Sequence, residues 1–191
     1  MSLKHRVCYE SARSLQQSRQ TLRKPLASKH IEWCHQFRVM ALKVGDPAPI
    51  FSLPDGKGKI VHLADLKGKR VVLYFYPRDN TPGCTKEACG FRDSYAGFQA
   101  QDIVVLGVST DDAKSHENFT NKLALPFPLL TDADGQVATA YESYGLKKFM
   151  GKEYIGISRN TFVIAPDGTI EAIYKKVKPE FHAKEVLEML G

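Results

Sequence analysis

Two long apolar runs dominate the hydrophobic pattern of the chain. Residues 71–76 (VVLYFY) and 103–108 (IVVLGV) are rich in β-branched and aromatic residues and contain no charged residue, which is typical of strands buried on both faces. Residues 83–99 between them predict a helix, and another helix is expected to begin near Asp112. This strand–helix–strand alternation indicates an α/β domain with parallel strands.

The C-terminal part predicts a β-hairpin followed by a closing helix. Residues 161–164 and 169–174 are two further apolar runs, and they flank the turn sequence Pro166-Asp167-Gly168. Residues 179–190 have one apolar face at helical spacing. A βαβ unit, a hairpin and a last helix are therefore expected within one domain.

The positive charge of the chain is confined to its N-terminal segment. The formal net charge is +6, and residues 1–40 contain eight Lys or Arg against Glu10 and Glu32, whereas basic and acidic residues are equal in number in the rest. We therefore expect a basic, flexible N-terminal extension over residues 1–40 and a folded domain over residues 41–191. The alternatives for the extension are an organelle-targeting presequence, an upstream addition to a true start at Met40, or a segment that contacts nucleic acid or a membrane. The balanced domain argues against nucleic-acid binding.

Hydropathy and cysteine use indicate the cellular setting. No apolar run approaches the ~20 residues that a membrane-spanning helix needs, so no membrane association is expected. The four cysteines (Cys8, Cys34, Cys84, Cys89) are too dispersed for a disulfide framework of the small secreted kind. We expect a reducing, cytoplasmic location with one reactive pair; import into a plastid is the alternative if residues 1–40 are a transit peptide.

The segment from Tyr76 to Cys89 (YPRDNTPGCTKEAC) carries the candidate chemistry. It follows a buried strand and opens the predicted helix, so Cys84 lies in the first helical turn. Unpaired backbone N–H groups and the positive end of the helix dipole stabilise a negatively charged sulfur there, and the thiolate is the reactive form. Pro82-Gly83 forms a tight turn before the helix, and the Thr81 hydroxyl can donate a hydrogen bond to the sulfur or orient a bound oxygen.

The spacing of Cys84 and Cys89 restricts how they can react. On one helix, five residues correspond to a rise of ~7.5 Å and a rotation of ~140°, whereas a disulfide needs Cα atoms within about 7 Å and converging Cβ atoms. The pair can therefore bond only if the helix unwinds locally. The spacing is not Cys-x-x-Cys and is poor for zinc. A thiol–disulfide reductase and two purely structural cysteines remain the alternatives.

The stretch Pro77-x-x-x-Thr81-x-x-Cys84 resembles the active-site signature of peroxiredoxins. The longer segment 74–89 resembles the Q type, also called bacterioferritin comigratory proteins, and the likeness extends over about residues 42–190. This resemblance implies a thioredoxin-like α/β sandwich in which helices flank a central mixed sheet.

The resemblance also implies a role for each site residue. Cys84 would be the peroxidatic cysteine, and Cys89 the resolving cysteine that forms an intramolecular disulfide with the oxidised Cys84. Thr81 would hydrogen-bond the peroxide and the thiolate, and Pro77 would shield the sulfur. Arg159 would stabilise the thiolate and the charge that develops on the leaving oxygen. The family implies hydroperoxide substrates, thioredoxin as reductant, a monomer, and neither metal nor cofactor.

Overall fold

The computed structural model describes residues 41–149 and 151–191. The predicted basic extension over residues 1–40, with Cys8 and Cys34, lies outside the described residues. Within the described part of the chain, no helix combines the length and the apolar character that crossing a membrane requires.

Nine strands and five α-helices make up the described residues. The strands are β1 (Ser52–Pro54), β2 (Ile60–His62), β3 (Arg70–Phe75), β4 (Ile103–Ser109), β5 (Leu129–Thr131), β6 (Tyr144–Phe149), β7 (Lys152–Ile157), β8 (Asn160–Ile164) and β9 (Ile170–Lys175). The helices are α1 (Pro82–Asp93), α2 (Tyr95–Ala100), α3 (Ala113–Leu123), α4 (Gln136–Ala140) and α5 (His182–Leu190), and a 3₁₀ turn spans Leu63–Leu66.

A five-stranded mixed sheet forms the centre of the fold, with the strand order β5-β4-β3-β8-β9. Strands β3, β4 and β5 are parallel, as expected for βαβ connections, while β8 runs antiparallel to both β3 and β9. The prediction of a thioredoxin-like sandwich with a central mixed sheet is confirmed. β1 with β2, and β6 with β7, form separate two-stranded ribbons.

Strand β3 is the middle of the sheet and contributes to two apolar cores. Because successive strand residues point to opposite faces, Val72 and Tyr74 join the core beneath α1 and α5, whereas Leu73 and Phe75 join the core on the other face. Residues 71–75 are each at most 1% exposed. Burial on both faces explains why this strand has an uninterrupted apolar sequence.

The structure corrects the predicted helix over residues 83–99. It is two helices, α1 and α2, separated at Ser94. The break brings the backbone of Gly97 against α5, so closely that a Cβ atom there would lie 2.6 Å from a Leu187 methyl carbon. A continuous helical pattern does not reveal this break, because it depends on packing against a distant helix.

The closing helix also begins later than expected, at His182 rather than at residue 179. The preceding residues have a different role: Pro179 lies beside Gly83 at the start of α1, and Glu180 forms an ion pair with Lys86 at 2.7 Å. The predicted hairpin is present as β8 and β9. The ribbon formed by β6 and β7 was not predicted.

Strand β4 carries a glycine for a packing reason that a substitution can test. Gly107 pairs with Tyr74 across the sheet, and a Cβ at Gly107 would lie 2.7 Å from the Tyr74 hydroxyl and 2.6 Å from a Leu129 methyl carbon. We expect Gly107→Ala to lower the free energy of unfolding by about 1–3 kcal/mol through overpacking, measured by urea denaturation.

Gly145→Ala is the matched control, because Gly145 also lies in a strand and a Cβ there would meet no atom of the described residues within 4 Å. Equal unfolding midpoints for the two variants would contradict the packing argument.

Candidate active site

Cys84 lies in the first turn of α1, at the C-terminal end of the central strand. Thr81 occupies the N-cap position with extended backbone, and Pro82 is the first helical residue, where the missing N–H of proline costs no helical hydrogen bond. Cys84 is only 2% exposed and packs in the apolar core beneath α1. The sequence therefore places a thiol at the positive end of a helix, and the fold largely removes it from bulk water.

The sheet topology brings Arg159 to this thiol from a distant part of the chain. Because β8 is antiparallel to β3, its first residue, Asn160, pairs with Phe75 at the end of β3. Arg159 immediately precedes β8, and its Nη2 donates to Cys84 Sγ at 3.2 Å. Gly83 permits this approach, since a Cβ there would lie 3.3 Å from Arg159 Nη2.

Glu87, one turn after Cys84 on α1, holds the other arm of the guanidinium. Arg159 Nη1 donates to Glu87 Oε2, and the Glu87 side chain is fully buried. Burial raises the pKa of the Glu87 carboxyl to about 7, although Arg159 opposes this shift. Burial alone would lower the pKa of Arg159, but the charges of Glu87 and Cys84 outweigh it and raise that pKa.

Thr81 and Pro77 lie on the loop between β3 and α1. The Thr81 hydroxyl donates to the backbone carbonyl of Arg78 at 3.2 Å. Because a hydroxyl has a single proton, Thr81 does not donate to the Cys84 sulfur in this state, and its oxygen can accept a hydrogen bond from a bound hydroperoxide. Pro77 is exposed and follows β3 after Tyr76.

Cys89 lies on the same helix as Cys84, and both carry free thiols. The prediction that both cysteines share one helix is confirmed. Cys89 is half-buried rather than exposed. With α1 intact, the rise and rotation between the two positions keep the sulfur atoms from meeting.

Two charged residues near Cys84 were not predicted from the sequence. Glu87 had a usable signal, because a residue three positions after a helical cysteine shares its face. Lys147 had none, since the β6–β7 ribbon was not predicted. Its Nζ donates to the backbone carbonyl of Ile157, and burial together with the Arg159 charge lowers the pKa of Lys147, although Cys84 acts in the opposite direction.

The site combines the buried Cys84 thiol, the charged guanidinium of Arg159, and a second thiol, Cys89. Cys89 can reach the Cys84 sulfur if α1 unwinds locally. Guanidinium donors aimed at a sulfur stabilise a thiolate and an oxygen that gains negative charge beside it. Such a site favours nucleophilic attack by sulfur on an acceptor that releases an anionic oxygen, followed by disulfide chemistry.

A family model and similar known proteins place the chain in the same family. The AhpC/TSA family model matches residues 44–173. Peroxiredoxin Bcp of Bacillus subtilis is 46% identical over 151 residues, which cover 79% of this chain and 96% of that protein.

Solved structures agree with this assignment. A cysteine variant of Xylella fastidiosa PrxQ has a TM-score of 0.75 and 35% identity, covering 79% of this chain and 96% of that one. The bacterioferritin comigratory protein of Xanthomonas campestris, described with a trapped intermediate of alkyl peroxide reduction, has a TM-score of 0.72 and 36% identity, with coverages of 78% and 95%. The chain therefore belongs to the AhpC/TSA family and is a peroxiredoxin, a thiol-dependent peroxidase of the Bcp or peroxiredoxin Q type.

Proposed function

We propose that Cys84 is the peroxidatic cysteine and Cys89 the resolving cysteine of this peroxiredoxin. The observation that carries the proposal is the 3.2 Å contact between Arg159 Nη2 and Cys84 Sγ. It places the permanent positive charge of the guanidinium beside the sulfur of a cysteine at the start of a helix. No hydrogen bond to the Cys89 sulfur is present among the described residues, and Cys89 is the second thiol on the same helix.

In the first step the Cys84 thiolate attacks one oxygen of the hydroperoxide along the O–O axis. A sulfur–oxygen bond forms and the O–O bond breaks, so the sulfur becomes a sulfenic acid and the other oxygen leaves as water or an alcohol after taking a proton. Arg159 stabilises the negative charge that moves from sulfur to the leaving oxygen. Thr81 accepts a hydrogen bond from the peroxide, and Pro77 limits the access of water to the sulfur.

In the second step Cys89 attacks the Cys84 sulfenic acid, water leaves and a disulfide forms within one chain. The first turns of α1 must unwind for this to happen. Phe91, fully buried and stacked on Tyr74 with ring centroids 4.6 Å apart, anchors the later turns of the helix. Unwinding is therefore confined to the turns that precede Phe91.

A peroxiredoxin acts on hydroperoxides and needs a reductant. We propose hydrogen peroxide and organic hydroperoxides as the substrates of this enzyme, supported by the alkyl peroxide reduction described for the Xanthomonas campestris relative. A dithiol of the thioredoxin type would then restore both thiols by exchange. We further propose that a monomer formed by residues 41–191 is the catalytic unit, that residues 1–40 are an accessory basic extension, and that the enzyme works in the cytoplasm.

The two cysteine roles can be separated by mass spectrometry after one equivalent of hydrogen peroxide. The wild-type chain should lose two hydrogens, mapped to a Cys84–Cys89 disulfide, and thioredoxin should reverse this loss. Cys84→Ser should be inactive, because no other described thiol has the Arg159 contact. Cys89→Ser should oxidise Cys84 once and then fail to turn over with thioredoxin.

Three outcomes would contradict the assignment. Peroxidase activity in Cys84→Ser would exclude Cys84 as the nucleophile, and a disulfide that involves Cys8 or Cys34 would exclude the proposed pairing. Reduction of insulin disulfides without peroxide, at a rate comparable with peroxide turnover, would favour the thiol–disulfide reductase instead.

The planar fork of Arg159 is expected to matter as much as its charge. Arg159→Lys keeps the charge but cannot contact Cys84 and Glu87 together, so kcat/KM for hydrogen peroxide should fall about 10²-fold. Arg70→Lys is the matched control, because Arg70 forms a two-armed pair with Glu171 and has no part in the proposed chemistry. Equal activity of the two variants would contradict the role of Arg159.

The buried Glu87 carboxyl predicts a pH dependence of stability. Its pKa is about 7 in the folded protein and 4.5 ordinarily, so between these values the folded state retains a proton that the unfolded state has released. Stability from this group is complete below pH 4.5 and is lost as the pH rises through 7. Relative to Glu87→Gln, the wild-type free energy of unfolding should therefore fall by roughly 3 kcal/mol across this window, measured by urea denaturation. Parallel pH profiles would contradict the prediction.

A further inference from the structure

A buried polar cluster lies behind the loop that precedes α1, and the proposed chemistry does not use it. Its centre is the Asp79 carboxylate: Oδ1 accepts from the Tyr76 hydroxyl at 2.8 Å, and Oδ2 accepts from the Ser115 hydroxyl at 2.8 Å. His116 Nδ1 lies 2.9 Å from the same Oδ2. Tyr76, Asp79 and His116 are 1%, 6% and 0% exposed. We call these four residues the loop cluster.

The loop cluster holds a charge in the protein interior. Burial by itself would raise the pKa of Asp79, but the hydrogen bond and charge of His116, together with the Ser115 and Tyr76 hydroxyls, lower it. Because a carboxylate only accepts hydrogen bonds, the His116 Nδ1 atom carries a proton. Losing one of these donors would leave a buried carboxylate partly unsatisfied, which is costly. The loop is thus held firmly at Asp79.

The backbone of the loop is fastened at the same residue. The Asp79 N–H donates to Asp111 Oδ2 at 2.7 Å, and the Ser109 hydroxyl at the end of β4 donates to that same oxygen at 2.9 Å. The side chain of Asp79 is therefore tied to α3, and its main chain is tied to Asp111 in the loop between β4 and α3. Thr81 and Cys84 follow only two and five residues later.

The exposed ion pair near the start of α1 is weaker than the contacts that Asp79 and Arg159 make. The ion pair between Lys86 and Glu180 is more than half exposed on both sides, and such pairs contribute little to stability. Phe91, which is fully buried, follows the turns that are proposed to unwind. The segment between Asp79 and Phe91 is thus bounded by two buried anchors, and it contains both cysteines.

From this geometry we infer that Asp79 and His116 form a positioning pair for the peroxidase reaction. The pair fixes the loop on the N-terminal side of Cys84, so that the sulfur returns to Arg159 each time α1 rewinds, and it confines unwinding to the residues that follow Asp79. The inference rests on the proposed Cys84–Cys89 cycle. Neither residue touches the reacting atoms.

Loss of the contact between Asp79 and His116 is expected to slow the oxidation of Cys84 and to speed the formation of the disulfide. A loosened loop holds Cys84 less accurately against Arg159, so the first oxidation slows. The same loosening lets α1 unwind sooner, so the sulfenic acid meets Cys89 before a second peroxide converts it to sulfinic acid. Simple loss of folded protein would not produce both effects.

The test compares His116→Leu with Phe119→Leu. Phe119 is on the same helix, one turn further, 1% exposed and packed near the Tyr76 ring, but it lies outside the loop cluster. Under limiting hydrogen peroxide, loss of the Cys84 thiol per folded molecule should be about tenfold slower in His116→Leu and unchanged in Phe119→Leu. In excess peroxide the Cys84 sulfinic acid yield should fall in His116→Leu alone. Both are measured by rapid quenching and intact mass.

A conservative replacement provides a further check. His116→Asn places an amide donor near the position of Nδ1 and should restore most of the oxidation rate. His116→Leu, which has an apolar side chain, should not. If His116→Leu does not fold, Ser115→Ala removes one donor to Asp79 and should slow the oxidation about two- to threefold.

The outcomes separate the inference from the proposed function. If the wild-type chain forms no Cys84–Cys89 disulfide, the proposed cycle is wrong. If it forms that disulfide while His116→Leu (or Ser115→Ala) oxidises as fast as wild type and gives the same sulfinic acid yield, the positioning role alone is overturned.

Discussion

The contact between the Arg159 guanidinium and the Cys84 sulfur is the interaction on which the rest of the site depends. The two residues are 75 positions apart in the chain, and only the antiparallel pairing of β8 with β3 makes them neighbours. The fold therefore supplies the charge, while the start of α1 supplies the thiol. A thioredoxin-like sheet suits this purpose, because strand ends of opposite direction meet at one edge.

The same helix has to satisfy two incompatible demands. An intact α1 directs its N–H groups and its dipole at Cys84, yet its geometry keeps Cys89 away from the oxidised sulfur. Buried anchors on both sides of this short segment resolve the conflict, because they hold the rest of the fold in place while the segment unwinds. Gly83 at the helix start adds little to the stability of the folded turn, and this makes its opening easier.

Buried charged groups lie on both sides of Cys84. Arg159 is paired with a fully buried Glu87, and Asp79 is surrounded by donors from Tyr76, Ser115 and His116. Interior charges are expensive unless they are hydrogen-bonded, so each of these groups restricts the backbone that carries it. One group fixes the guanidinium, the other fixes the loop, and Cys84 lies between them.

The local features could be predicted from the sequence: the buried strand before the site, the helix that starts near Cys84, the spacing of the two cysteines, and the hairpin at residues 161–174. These follow from periodicity and turn chemistry, which act between near neighbours. Three features could not be predicted in this way: the break between α1 and α2 at Ser94, the β6–β7 ribbon with Lys147, and the pairing of His116 with Asp79. They depend on which distant surfaces pack together, and no local pattern records that.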